Sequence, residues 1–184
     1  AVIAAHFMGI KTAIAEQNAL PGFTNRMLGR FVDKIFLSFP DRQQWFAEVR
    51  SIVTGNPVRK GFVKGINKYQ RTENKFSILV FGGSQGARAI NRAVIESIGY
   101  LEDIRDRLSI THQTGAQDMD EVSAAYRAYR MNADVQSFIT DMSSAYGKAD
   151  LLICRAGATS IAEITASGKA SVLIPLSLIH ISEP

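Results

Sequence analysis

The chain has 184 residues, 46% hydrophobic and 21% charged, with 21 Lys and Arg against 17 Asp and Glu for a formal net charge of +4. That balance excludes a disordered or low-complexity protein and calls for a packed core; the positive excess suits phosphate-bearing or anionic-surface partners. The single cysteine, Cys154, excludes an internal disulfide and fits a reducing compartment, no apolar run approaches the ~20 residues of a membrane-spanning helix, and residues 1–9 lack the basic leader of a signal peptide.

The chain opens in an apolar helical run, with residues 6–10 read as a buried helix. Strands are predicted over 12–15, 34–38, 51–54, 76–81, 109–112, 135–138, 151–154 and 171–174, and helices over 21–31, 87–97, 117–129, 142–148 and 160–167. Strand–helix alternation of this kind defines an α/β fold with parallel sheets. Pro21 suits a first helical turn, and Gly168 suits a helix C-terminus. Between Gly55 and Lys75 the composition shifts: Pro57 bars helix at Asn56, and Lys60, Lys64, Lys68, Arg71 and Lys75 follow in a polar stretch. This stretch is read as an inter-domain connection whose cations form a solvated face, the alternative being a membrane surface or an acidic partner.

Two strand-to-helix junctions carry the chemistry. In the first, Phe81-Gly82-Gly83-Ser84-Gln85-Gly86-Ala87-Arg88 follows an apolar strand and opens a helix with Ile90, Val94 and Ile98 on one side. Such a junction turns unpaired backbone N–H groups toward an anion, and Ser84 can add a hydroxyl. The alternative is a tight turn that binds nothing. In the second, Arg155 to Glu163 follows the strand at 151–154. Here Thr159 and Ser160 can cap the helix, with Glu163 in capping-box reach of Ser160; alternatively, the amides face a phosphate while Glu163 accepts from two ribose hydroxyls. Together the junctions suggest one diphosphate nucleotide held at the carboxyl ends of the strands. A dinucleotide fingerprint would need glycine where Phe81 stands, so a nicotinamide or flavin enzyme is disfavoured despite Glu102 and Asp103 at a plausible ribose offset.

Asp141 reads as a helix N-cap, and the Ile139 backbone is placed to read a base edge at the sheet rim. The histidines, His6, His112 and His180, have no metal-ligand spacing, and Cys154 lacks a paired Cys or His. His112 reads as a structural residue. No nucleophile elbow is visible.

Taken in order, the segments Ala15-Glu16-Gln17-Asn18, Gly22-Phe23-Thr24-Asn25-Arg26, Phe36 to Pro40, Gly55-Asn56-Pro57-Val58-Arg59, Phe81 to Arg88, His112-Gln113-Thr114-Gly115, Phe138 to Met142 and Cys154 to Glu163 resemble the MurG-type family of bacterial glycosyltransferases, from about the first residue to about Leu176. The resemblance implies a GT-B fold of two Rossmann-like domains. Residues 1–58 would be the end of an acceptor-binding domain, and 59–176 most of the sheet of a domain that binds UDP-GlcNAc. It implies transfer of N-acetylglucosamine from UDP-GlcNAc to an undecaprenyl-pyrophosphoryl-muramoyl-peptide with inversion, by a peripheral protein at the cytoplasmic face of the bacterial membrane. An anionic membrane surface would be a partner and nucleic acid would not, and neither a cofactor nor a metal is expected. The implied substrate-binding residues are Asn18, Arg59, Ser84, Ile139, Ala158, Thr159, Ser160, Ile161, Ala162 and Glu163. The family's glycine-rich loop with its histidine, where the catalytic base belongs, has no counterpart here, and residues 177–184 depart from the pattern and read as a foreign tail. Both ends therefore read as cut, and the chain as given is expected to be inactive. The readings set against this one are another GT-B UDP-sugar enzyme, an epimerase or a transferase, and a non-catalytic nucleotide-binding module.

Overall fold

The computed structural model describes residues 1–64, 75–83 and 86–175. Ser84, Lys68, Arg71 and His180, and the tail at 177–184, lie outside the described residues. The chain divides into two compact units, Ala1–Pro57 and Val58–Pro184.

In the first unit three parallel strands, β1 (Ala13–Glu16), β2 (Lys34–Leu37) and β3 (Ser51–Val53), lie in the order β1-β2-β3. β1 and β2 alternate exposed and buried residues, so Ile14, Ile35 and Leu37 join Val32 and Phe46 in a small core. Glu16 ends β1 on the buried side of that alternation, one residue beyond the predicted strand. The helix expected over 21–31 is shorter: α2 runs Phe23–Leu28 behind an N-cap at Gly22, leaving Pro21 outside its first turn. The opening helix α1 (Val2–Phe7) contains no buried residue, and Phe7 and Met8 are 78% and 74% exposed. The expectation of a buried helix there is corrected: neither side chain lies against the small core.

The second unit is a doubly wound parallel sheet. Its strands are β4 (Phe76–Phe81), β5 (Leu108–Gln113), β6 (Ala133–Gln136), β7 (Leu151–Arg155) and β8 (Ala170–Ile174), in the order β6-β5-β4-β7-β8. The helices are α3 (Lys60–Lys64), α4 (Arg88–Ser97), α5 (Met119–Ala128), α6 (Met142–Lys148) and α7 (Ala158–Ser167). Strand alternation feeds two cores. Leu79 and Phe81 pack with Phe62, Tyr146, Leu152, Cys154 and Ile164, while Val80 packs with Ile90, Ile110, Val122 and Tyr126. Cys154 is fully buried, and burial pushes its thiol up to about 11, so it behaves as a small core hydrophobe.

Some boundaries moved. β6 sits two residues earlier than predicted, which leaves Phe138 and Ile139 in the loop before α6. Part of the polar stretch, read as a connection, is the short helix α3 of the second unit. A 3-10 segment, Ile98–Arg107, continues α4 where no element was expected, with Ile98 buried as its anchor. Gly168 ends α7 in the left-handed conformation, φ +62°. No helix among the described residues is long and apolar enough to cross a membrane.

Candidate nucleotide-binding site

From β4 the chain winds to one side through β5 and β6, then returns across the sheet to β7 and β8. The reversal falls between β4 and β7, which pair directly with Phe81 opposite Cys154. Adjacent parallel strands that lead in opposite directions splay the loops after them and leave a crevice at their carboxyl ends, where α/β sheets bind ligands. Both predicted junctions open on that edge, side by side.

The first junction is a compact turn. Gly86 N–H donates to the Gly83 carbonyl at 2.9 Å, and Gly83 and Gly86 have φ of +100° and +78°. A Cβ on Gly86 would run into the Thr114 carbonyl, whereas one on Gly83 would meet open space. Gly86 is thus required by close packing against the end of β5, and Gly83 by its backbone conformation alone. The N-cap residue of α4, Ala87, makes no side-chain capping bond.

Behind this turn lies a buried polar cluster. His112, on β5 and fully buried, hydrogen-bonds through Nδ1 to the Tyr126 hydroxyl at 3.0 Å and through Nε2 to Asn91 Oδ1 at 3.1 Å. Asn91 Nδ2 donates to the Thr114 carbonyl at 2.9 Å and to Asp118 Oδ2 at 2.7 Å, which fixes the orientation of its amide. Asn91 Oδ1 can only accept, so His112 carries its proton on Nε2. Burial lowers the His112 pKa to about 4 and the ring is neutral at pH 7. His112 is structural, as the sequence reading has it.

At the second junction the capping expectation is corrected. α7 starts at Ala158 behind Gly157, an N-cap residue that makes no side-chain capping bond. Thr159 and Ser160 lie inside its first turn and Ile161 and Ala162 follow them. Glu163 sits a turn further along, too deep in the helix to serve as a capping box. Its carboxylate is instead bound by an arginine 104 residues away in sequence: Arg59 Nε donates to Glu163 Oε1 at 2.8 Å. The Glu163 side chain is 7% exposed and that of Arg59 60%. Arg59 stands just before α3, with its guanidinium 4.9 Å from the Phe62 ring centroid, and Phe62 is anchored edge-on against Tyr146 in the core. Two of the residues implied by the resemblance therefore meet, one at the surface and one beneath it.

Ile139 is 6% exposed, and its N–H donates to Gln113 Oε1 at 3.0 Å. Any base contact by its backbone falls to the carbonyl. Asp141 caps α6 as expected, accepting from Ser144 N–H at 2.9 Å. In the first unit Asn18 donates from its backbone and its side chain to Glu16 Oε1, at 2.9 and 3.2 Å, while Glu16 Oε2 takes Gly22 N–H and Asn25 Nδ2 at 3.0 and 2.8 Å. Burial works to raise the Glu16 pKa, but these four hydrogen bonds outweigh it and the carboxylate ends below its usual range. Glu16 and Gln113 were quoted in the sequence motifs without a role. The one signal that could have found them is a polar residue at the carboxyl end of a predicted strand, where it can bond to the loops on either side.

The sequence profile of the glycosyltransferase family 28 C-terminal domain matches residues 77–178, and that of the family's N-terminal domain matches residues 1–37. The chain belongs to glycosyltransferase family 28. It is 58% identical over 175 residues to the UDP-N-acetylglucosamine–N-acetylmuramyl-(pentapeptide) pyrophosphoryl-undecaprenol N-acetylglucosamine transferase of Syntrophus aciditrophicus, covering 95% of this chain and 48% of that protein. It is 48% identical over 174 residues to the protein of the same name from Myxococcus xanthus, covering 95% and 45%. Among solved structures it is similar to MurG of Acinetobacter baumannii, with a TM-score of 0.69 and 35% identity over 97% of this chain and 50% of that one. A putative UDP-N-acetylglucosamine 2-epimerase of Listeria monocytogenes shares the fold, with a TM-score of 0.65 and 14% identity over 94% of this chain and 53% of that one. The fold is of the GT-B class, and the chain spans about half the length of the curated relatives it matches.

Proposed function

We propose that the protein carrying this chain is an inverting glycosyltransferase that moves N-acetylglucosamine from UDP-GlcNAc to undecaprenyl-pyrophosphoryl-N-acetylmuramoyl-peptide in peptidoglycan synthesis. The observation that carries the reading is the ion pair between Arg59, just before α3, and Glu163 on α7, the helix that starts at the sheet's reversal point. A buried carboxylate there accepts from the two ribose hydroxyls, and the cation beside it faces the diphosphate. The first turns of α4 and α7, whose N-cap residues Ala87 and Gly157 make no side-chain capping bond, add backbone N–H groups for the phosphates. The names and identities of the relatives favour this substrate pair over other UDP-sugar chemistry.

In this reading residues 59–176 bind the donor and residues 1–58 belong to the acceptor-binding domain. Ala158 to Ala162 lie along the phosphate and ribose, Ile139 lies at the uracil, and Ser84 is assigned to the phosphates by its place in the sequence. Asn18, held by Glu16, serves from the acceptor side. The acceptor hydroxyl oxygen attacks the anomeric carbon as the bond from that carbon to the β-phosphate oxygen breaks. UDP leaves with the electron pair, and the hydroxyl proton passes to a general base. Arg59 and the helix-start amides stabilise the charge that grows on the departing diphosphate. Such a protein works peripherally at the cytoplasmic membrane face, where a lipid-linked acceptor and a soluble donor meet and an anionic surface suits its net charge.

The test is calorimetric titration of a full-length protein carrying this sequence with UDP and 2′-deoxy-UDP, alongside turnover of UDP-GlcNAc on the lipid acceptor. Glu163→Ala should weaken UDP by roughly 10- to 100-fold, the scale of hydrogen bonds to a charged group. The loss should be smaller for 2′-deoxy-UDP. Equal losses for both ligands would remove Glu163 from the ribose, and a wild type that neither binds UDP nor turns over the donor would end the proposal.

A further inference from the structure

We infer that Gln113 is a positioning residue that locks the glycine bend after β4 to the loop carrying Ile139, so that one side-chain amide sets the spacing between the phosphate side and the base side of the nucleotide site; the inference rests on the donor-site reading above. Gln113 ends β5, in register with Phe81 of β4 and Gln136 of β6, and is 3% exposed. Its Nε2 donates to the Gly83 carbonyl at 2.6 Å, and its Oε1 accepts from Ile139 N–H at 3.0 Å.

Neither bond can be reversed. A carbonyl only accepts and a backbone N–H only donates, so the two partners dictate which way the amide faces. Among side chains of this length only a primary amide presents a donor and an acceptor on one carbon without first taking up a proton, and asparagine is a methylene shorter. Packing alone could be served by methionine, which is of similar length and apolar. The Gly83 carbonyl also accepts from Gly86 N–H at 2.9 Å, a bond within the bend itself, so Gln113 is what ties that bend to β5. Gly83 sits at φ +100° with no side chain to anchor it, and Ile139 lies in a loop that follows β6 and precedes the α6 cap. The Ile139 bond is buried and the Gly83 bond partly so, and Gln113 itself is buried, so leaving its amide unpaired is costly. His112, the neighbour in sequence, turns to the opposite sheet face and braces α4 and α5. Consecutive residues of one strand end thus divide the work: the histidine holds the helices behind the sheet and the glutamine holds the loops at its rim.

The test uses a full-length protein carrying this sequence and two variants. Gln113→Met breaks both bonds. Gln113→Glu, assayed at alkaline pH so that the carboxyl is ionised, keeps an acceptor for Ile139 N–H and sets a carboxylate against the Gly83 carbonyl. Amide hydrogen exchange at Ile139 should speed up about tenfold or more in Gln113→Met and stay near wild type in Gln113→Glu. UDP affinity should fall about five- to tenfold in both, because each releases the Gly83 side. Unchanged Ile139 exchange in Gln113→Met overturns the clamp, and this readout decides it whether or not the protein binds UDP. Faster Ile139 exchange in Gln113→Met together with wild-type UDP affinity in both variants overturns the positioning role. A wild type that fails to bind UDP refutes the donor-site reading and with it any effect of the clamp on UDP.

Discussion

Lowering the pH should destabilise the second unit through His112 before Asp33 and Glu16 of the first unit lose their contributions. The imidazole titrates at about 4 in the folded chain because burial penalises its charged form, against an ordinary 6.5. A group whose folded pKa is depressed contributes stability that is complete above its unfolded value and is lost as the pH falls toward the folded one. The window therefore runs from about pH 6.5 down to about 4. Across it the gap converts to about 3 kcal/mol at 1.36 kcal/mol per pH unit. The Asp118 carboxylate, one hydrogen bond beyond Asn91, favours the cation and makes that figure an upper one. Asp33 loses its contribution lower, between its ordinary 3.8 and about 2, because Lys11 donates to it and Thr12 N–H supports it. Glu16 likewise titrates below 4.5. The assay is urea unfolding of a full-length protein at pH 7.5, 6.5, 5.5 and 4.5, followed by exchange of the Ile110 and Thr114 amides, whose partners lie on or beside β6. Trp45, the one tryptophan, belongs to the first unit and would report there instead. His112→Phe should start less stable at pH 7.5, having orphaned Asn91 Oδ1, but should lose little more down to pH 4.5. A wild type as flat as the variant, or a variant as steep as the wild type, would refute the assignment.

Other outcomes follow from single contacts. Gly86→Ala should cost about 2 kcal/mol or more, since alanine pays roughly 1–2 kcal/mol in the left-handed region and its Cβ must also displace the Thr114 carbonyl; denaturant midpoints measure it, and a wild-type midpoint would contradict the packing. Arg59→Ala should weaken UDP several-fold more than uridine, read by calorimetry; equal losses would place the guanidinium away from the diphosphate. Asp141→Ala should destabilise the second unit by about 1 kcal/mol, the usual scale of a lost N-cap, while leaving UDP affinity within twofold.

The two parallel sheets were legible in the chain itself, because buried strands and amphipathic helices impose periods that survive in one dimension. So were the junctions: a run such as Phe81-Gly82-Gly83 after an apolar strand has few other uses, and Asp141 announced its cap by chemistry alone. What a linear reading missed depends on which strands become neighbours. The order β6-β5-β4-β7-β8 sets the two junctions side by side, and no local pattern encodes that order. The capping box at Ser160 and Glu163 satisfied every local rule, yet the helix starts earlier and Arg59 claims the carboxylate across 104 residues. Gln113 shows the same limit: its amide has meaning only once Gly83 and Ile139 stand on either side of it. Periodicity and turn chemistry are properties of neighbours in sequence, whereas ion pairs and bridging amides are properties of neighbours in space, and those are created only when the sheet closes.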